Sequence, residues 1–96
     1  MIIIADSGGS KIDWRLLRKN GVISQANTPG FNPYYQPIED LHSSIRENIF
    51  ELADEPVSKV FFYGAGVSSE KNQEVIRQAF KAFFAQAETF VGWDLL

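Results

Sequence analysis

The sequence predicts an α/β domain: one mixed sheet made of a three-stranded antiparallel meander followed by α-β-α-β. Three observations carry that expectation. Two short apolar runs, residues 2–5 and residues 60–63 within a segment at 57–63, read as buried strands. An Asn20-Gly21 pair separates two further strand-like segments, which is the signal of a tight hairpin. Two longer stretches, residues 37–54 and 69–86, repeat apolar side chains at steps of three and four, as a helix face does.

The elements follow in order. Ile2-Ile3-Ile4-Ala5 is mostly β-branched and ends at Asp6, so it reads as a central strand buried on both faces. Residues 7–10 form a small-residue turn. Ile12, Trp14 and Leu16 alternate along residues 12–17, which predicts a second strand. A third covers residues 22–26. Residues 27–37 change character, with three prolines and Gly30 among Phe31, Tyr34 and Tyr35. Such an aromatic loop either carries binding residues or caps the core. Ile38, Leu41, Ile45, Ile49 and Leu52 then mark one face of a helix, begun at Pro37 and stopped before Pro56. After the strand at 57–63, Gly64-Ala65-Gly66 turns the chain. Ser69 is the expected N-cap of a second helix whose stripe is Val75, Ile76, Ala79, Phe80, Phe83 and Phe84. Residues 88–91 read as a last strand, with Asp94 just after it. Right-handed crossovers then place helices on the faces of the sheet. His42, the single histidine, is expected on the solvated side of the first helix, and Asp13 and Arg15 face solvent or each other.

Bulk properties narrow the function classes. Ninety-six residues hold one core rather than two. A net charge of −3 argues against a nucleic-acid partner, which needs a basic surface. The chain has no cysteine, so a disulfide, an iron–sulfur cluster and a thiol nucleophile are excluded within it. No signal peptide is visible, and no apolar run approaches the roughly 20 residues of a membrane helix. These features fit a cytoplasmic protein without a membrane partner.

The chemistry concentrates in Asp6-Ser7-Gly8-Gly9-Ser10-Lys11. Gly8 and Gly9 are expected to admit positive φ and let the backbone approach a ligand. Successive amides in such a turn form an anion nest. Ser10 adds a hydroxyl, Lys11 a point charge suited to phosphate, and Asp6 a carboxylate that can hold Mg²⁺ directly or through water. The alternative is a plain Gly-rich hairpin turn. The spacing is not that of a Walker loop.

The stretch from Asp6 to Trp14 resembles the first phosphate motif of the acetate and sugar kinase, heat-shock chaperone and actin superfamily. Within it, the chain resembles the group joining N-acetylglucosamine kinases with BadF/BadG-type activator ATPases. Gly30-Phe31-Asn32-Pro33 resembles that group's "G-x-N-P" segment near the sugar. Tyr63-Gly64-Ala65-Gly66-Val67 resembles its small-residue turn. Val91-Gly92-Trp93-Asp94-Leu95 resembles the segment whose Asp contacts the acceptor hydroxyl. Ile12 departs from the usual Thr, and Gly8–Ile12 thereby also resembles the "G-G-T-K-I" of the ROK (repressor, open reading frame, kinase) sugar kinases.

The resemblance implies a ribonuclease-H-like fold, with residues 1–96 as a truncated amino-terminal domain whose carboxy-terminal partner domain is missing. It implies ATP and Mg²⁺ as cofactors and an amino sugar as substrate. Ser7, Gly8, Gly9, Ser10 and Lys11 would line the phosphates, and Asp6 would position Mg²⁺ through water. Asn32, Gly64, Ala65 and Gly66 would border the sugar, and Asp94 would accept the proton of the attacking hydroxyl. Asp94 could equally be a helix N-cap. An activator ATPase, a ROK-type sugar kinase and a catalytically inert half-domain are the alternatives, and a homodimer stays open.

Overall fold

The computed structural model describes residues 1–92. Strands β1 (Ile2–Ser7), β2 (Lys11–Leu17) and β3 (Ile23–Pro29) form the antiparallel meander. Helix α1 (Ile38–Ser44) leads to β4 (Lys59–Gly64), and helix α2 (Glu70–Phe83) leads to β5 (Glu88–Gly92). β4 pairs parallel with β1, and β5 parallel with β4, in the order β3-β2-β1-β4-β5. The predicted order of elements is the observed one.

The strands bury one face. Ile3, Ala5, Ile12, Trp14, Leu16, Val60 and Phe62 meet Leu41, Ile45, Ile49, Ile76, Ala79 and Phe80 in a single core. Phe80 lies 5.9 Å from both Trp14 and Phe62, edge-on to the first. Burying a side chain of this size contributes roughly 1.5–3 kcal/mol. β1 is therefore not buried on both faces, as its apolar run suggested: Ile2 and Ile4 are only half-buried. The connections from β3 through the first helix to β4, and from β4 through α2 to β5, step the same way across the sheet. Crossovers of one hand then put both helices on one face. The expectation of helices on both faces fails for that reason among the described residues.

Several boundaries move. β3 continues past residue 26 to Pro29, because Asn27 and Thr28 still pair with Asp13 and Ile12. Buried Thr28 accepts the Trp14 indole N–H at 2.8 Å. Pro29 is tolerated at the end of an edge strand. β4 starts at Lys59 and reaches Gly64, so Val57 and Ser58 precede it.

The first helix is α-helical only to Ser44. Ile45–Ile49 is a π-helical turn, closed by Phe50 N–H to Ile45 O at 2.8 Å. Leu41, Ile45 and Ile49 recur every fourth residue, and on a turn of about 3.6 residues such a row drifts around the helix. The wider π turn keeps Ile45 and Ile49 both inward. α2 stops at Phe83, short of residue 86. Its N-cap is as expected: Ser69 Oγ accepts the Asn72 N–H at 3.2 Å. His42 is only partly solvated. Its ring is half-buried and lies edge-on to Phe83 at 5.8 Å.

Candidate functional site

The carboxyl ends of the three parallel strands share one edge, where ligands bind on open α/β sheets. Ser7 pairs with Gly64, and Asp6 with Tyr63, which in turn pairs with Gly92. Asp94, the expected base, lies outside the described residues.

Asp6 and Asp13 are direct cross-strand partners, both exposed, on the face of the sheet away from the helices. Like charges placed opposite one another repel, and a cation between them relieves that. Lys11 Nζ stands 3.7 Å from the Asp13 carboxylate. The described residues contain no cluster of three metal-ligating side chains. Mg²⁺ is compatible with such a sparse site, since it keeps waters and binds through one or two carboxylates plus phosphate oxygens. A hydrated Mg²⁺ would thus fit Asp6 with Asp13 beside it.

The turn differs in detail from its sequence reading. Neither Gly8 nor Gly9 takes a left-handed φ. A Cβ on Gly9 would meet no atom within 4 Å, and one on Gly8 only Lys11 O at 3.6 Å. Neither backbone strain nor packing calls for glycine here. What a side chain at either position would fill is open space above the turn. The Gly8 N–H donates to Lys11 O at 2.8 Å, so it is spent inside the hairpin and does not point at a ligand. Ser10 and Lys11 side chains are exposed.

Ser7 points inward. It is 4% exposed, and its hydroxyl donates to Phe31 O at 3.1 Å and accepts the Phe31 N–H at 3.2 Å. Its hydroxyl is thus engaged by the loop at residues 30–36. Ile12, opposite Ser7, is fully buried, so the position where the family has Thr faces the core.

That loop divides into two parts. Phe31 caps the core at 3% exposure, while Tyr34 and Tyr35 stand out at 63% and 85%. Asn32 anchors the bend between them. Its Oδ1 accepts the Tyr34 N–H at 2.9 Å, and its own N–H donates to Gln36 Oε1 at 2.9 Å. Asn32 also meets the other candidate turn: a Cβ on Gly66 would lie 2.2 Å from Asn32 Oδ1. Gly66 has φ +78° and Gly64 is pressed on Ser7, so here glycine is structurally required. Asn72 Nδ2 and Gln73 Nε2 hold this turn by donating to Gly66 O and Val67 O at 2.7 and 2.9 Å. Ala65 is exposed beside it. The residues expected to border phosphate and those expected to border sugar therefore stand together at one edge. Gly30, expected only as part of the sugar-side segment, also meets the other turn: its N–H donates to Ser10 O at 3.2 Å and it packs against the backbone of Gly8, Gly9 and Lys11, a contact with no signal in the sequence.

No family model matches the chain, and no curated protein does either. Among solved structures, it is similar over its whole length to the crystal structure of a candidate N-acetylglucosamine kinase from Porphyromonas gingivalis. The TM-score is 0.83 and the identity 25%. The chain spans 35% of that protein. The likeness extends to the fold the motifs implied: the ribonuclease-H-like, actin-like arrangement. No helix among the described residues is long and apolar enough to cross a membrane.

Proposed function

We propose that the protein containing this chain phosphorylates N-acetylglucosamine or a related amino sugar with ATP, and that this chain supplies the first phosphate turn and part of the sugar site. One observation carries the reading. The turn at Gly8 and Gly9 leaves open space that neither φ nor packing explains, and it stands on the same edge as Asn32 and Gly66. A backbone kept bare of side chains suits the close approach of a phosphate. The similarity to a candidate N-acetylglucosamine kinase supports the same class.

In this reading the Gly9 and Ser10 amides and Lys11 meet the phosphates, and Asp6, with Asp13 opposite, takes Mg²⁺. Asn32 and the turn at Gly64, Ala65 and Gly66 border the sugar. Asp94, two residues beyond Gly92, accepts the proton of the attacking hydroxyl. Such a reaction depends on positioning and charge neutralisation more than on covalent chemistry. The second wall of the cleft belongs to a carboxy-terminal domain, and the 96-residue chain alone is inactive as a kinase. ADP release by the complete protein, measured across a panel of sugars, tests the reading. Turnover that ignores the sugar would favour an activator-type ATPase instead.

A further inference from the structure

Three consecutive residues make three attachments to three different segments. Gly30 rests on the phosphate turn: a Cβ there would lie 3.0 Å from Gly8 O, 3.2 Å from Lys11 N and 3.3 Å from Gly9 O. Phe31 is held through both its N–H and its carbonyl by the Ser7 hydroxyl on β1. Asn32 abuts Gly66 after β4. All the atoms concerned are backbone except the Ser7 hydroxyl and the Asn32 amide. The Ser7 hydroxyl is moreover buried, with its single O–H donor spent on the Phe31 carbonyl and one of its lone pairs on the Phe31 N–H, so it has no proton left to donate to a phosphate.

We infer that Ser7 is a positioning residue rather than a phosphate ligand: its hydroxyl pins residues 30–32 as a strap that holds the Asn32 side of the cleft at a fixed separation from the phosphate turn. The inference deepens the proposed function and rests on it for what the two sides bind. The pin itself is a property of the fold. Its use to a phosphoryl-transfer site is plain. An acceptor displaced by about 1 Å costs on the order of 100-fold in rate, so a rigid tie between the two substrate sides is worth having. Removing the hydroxyl leaves the Phe31 N–H and C=O buried without partners, and the strap then gains freedom at its centre.

The test uses the ¹⁵N-labelled 96-residue chain. In Ser7→Ala, amide hydrogen exchange at Phe31 and at Tyr34, Tyr35 and Gln36 should quicken about tenfold, while the amides of β4 keep their wild-type rates. Magnesium pyrophosphate should still shift the Gly9 and Ser10 resonances with affinity within about twofold of wild type, since no ligand contact is lost. Unchanged exchange at Phe31 would overturn the pin. So would loss of the Gly9 and Ser10 response, which would make the hydroxyl a ligand. If pyrophosphate leaves the wild-type turn unmoved, the phosphate reading falls, and the exchange rates still decide the pin. Gly30→Ala attacks the strap from its other end with Ser7 intact. It should displace the Gly8, Gly9 and Lys11 resonances, and a turn that does not respond would sink the strap.

Discussion

Gly66 and Asn32 are in such close apposition that a single added carbon on the glycine would sit 2.2 Å from the asparagine Oδ1. Two residues that are 34 positions apart in the chain thereby define one corner of the candidate site.

Gly66→Ala therefore carries two penalties that can be separated. The left-handed φ of +78° costs a non-glycine residue roughly 1–2 kcal/mol. The clash falls on the end of a side chain that can move, so it costs less but turns Asn32 away. Urea unfolding of the isolated chain should show the first. Adding Asn32→Ala should restore only the second, and full recovery in the double variant would contradict the backbone account.

Gly9→Ala separates a ligand role from a folding role. The new methyl enters open space, so the unfolding midpoint should stay within about 0.5 kcal/mol of wild type. Magnesium pyrophosphate binding should fall about tenfold, ~1.4 kcal/mol, because the methyl occupies the room above the turn. Equal binding by the two chains would mean that the turn holds no phosphate.

Thr28→Val tests the far end of β3. It keeps the shape but strands the buried Trp14 indole N–H, which now donates to Thr28 Oγ1. The expected loss is about 1–3 kcal/mol in chemical denaturation. A loss near zero would mean that water or another acceptor replaces the hydroxyl.

Asp94→Asn in the complete protein should depress kcat far more than it changes the KM for sugar, since an amide cannot accept the hydroxyl proton. Steady-state kinetics with saturating ATP reads this directly, and undiminished kcat would remove Asp94 from the role of base.

Much of this architecture was legible because it rests on local periodicity. Alternation in Ile12, Trp14 and Leu16, the Asn20-Gly21 turn and the spaced apolar residues of both helices announce their elements without long-range information. Asn27 and Pro29 carry loop propensities, so the sequence pattern of β3 ends before the strand does. Its last residues are strand only through pairing with β2 and the Trp14–Thr28 bond. The site shows the same division. The segment from Asp6 to Lys11 stands out in sequence, whereas the inward turn of Ser7 depends on Phe31, 24 residues away. Glycines mislead in a related manner. Adjacent Gly8 and Gly9 suggest a conformational need, yet the positive φ values belong to Gly21 and Gly66 and the crowded backbone to Gly30. Only interatomic distances separate a glycine that the fold requires from one that leaves room.

With both helices on one side, Ile2, Ile4, Phe61 and Phe90 lie on the other, where Phe61 and Phe90 stack at 5.0 Å and Phe90 remains 39% exposed. A net charge of −3 lies at the low end of the range of about 2–8 that keeps a small domain dispersed, so it offsets such a surface only in part. Handling of the isolated chain thus becomes a question of concentration. Light scattering should climb as the sample is concentrated, an environment-sensitive dye should brighten on binding, and a charged replacement of Phe90 should suppress both without touching the edge where the ligands would sit.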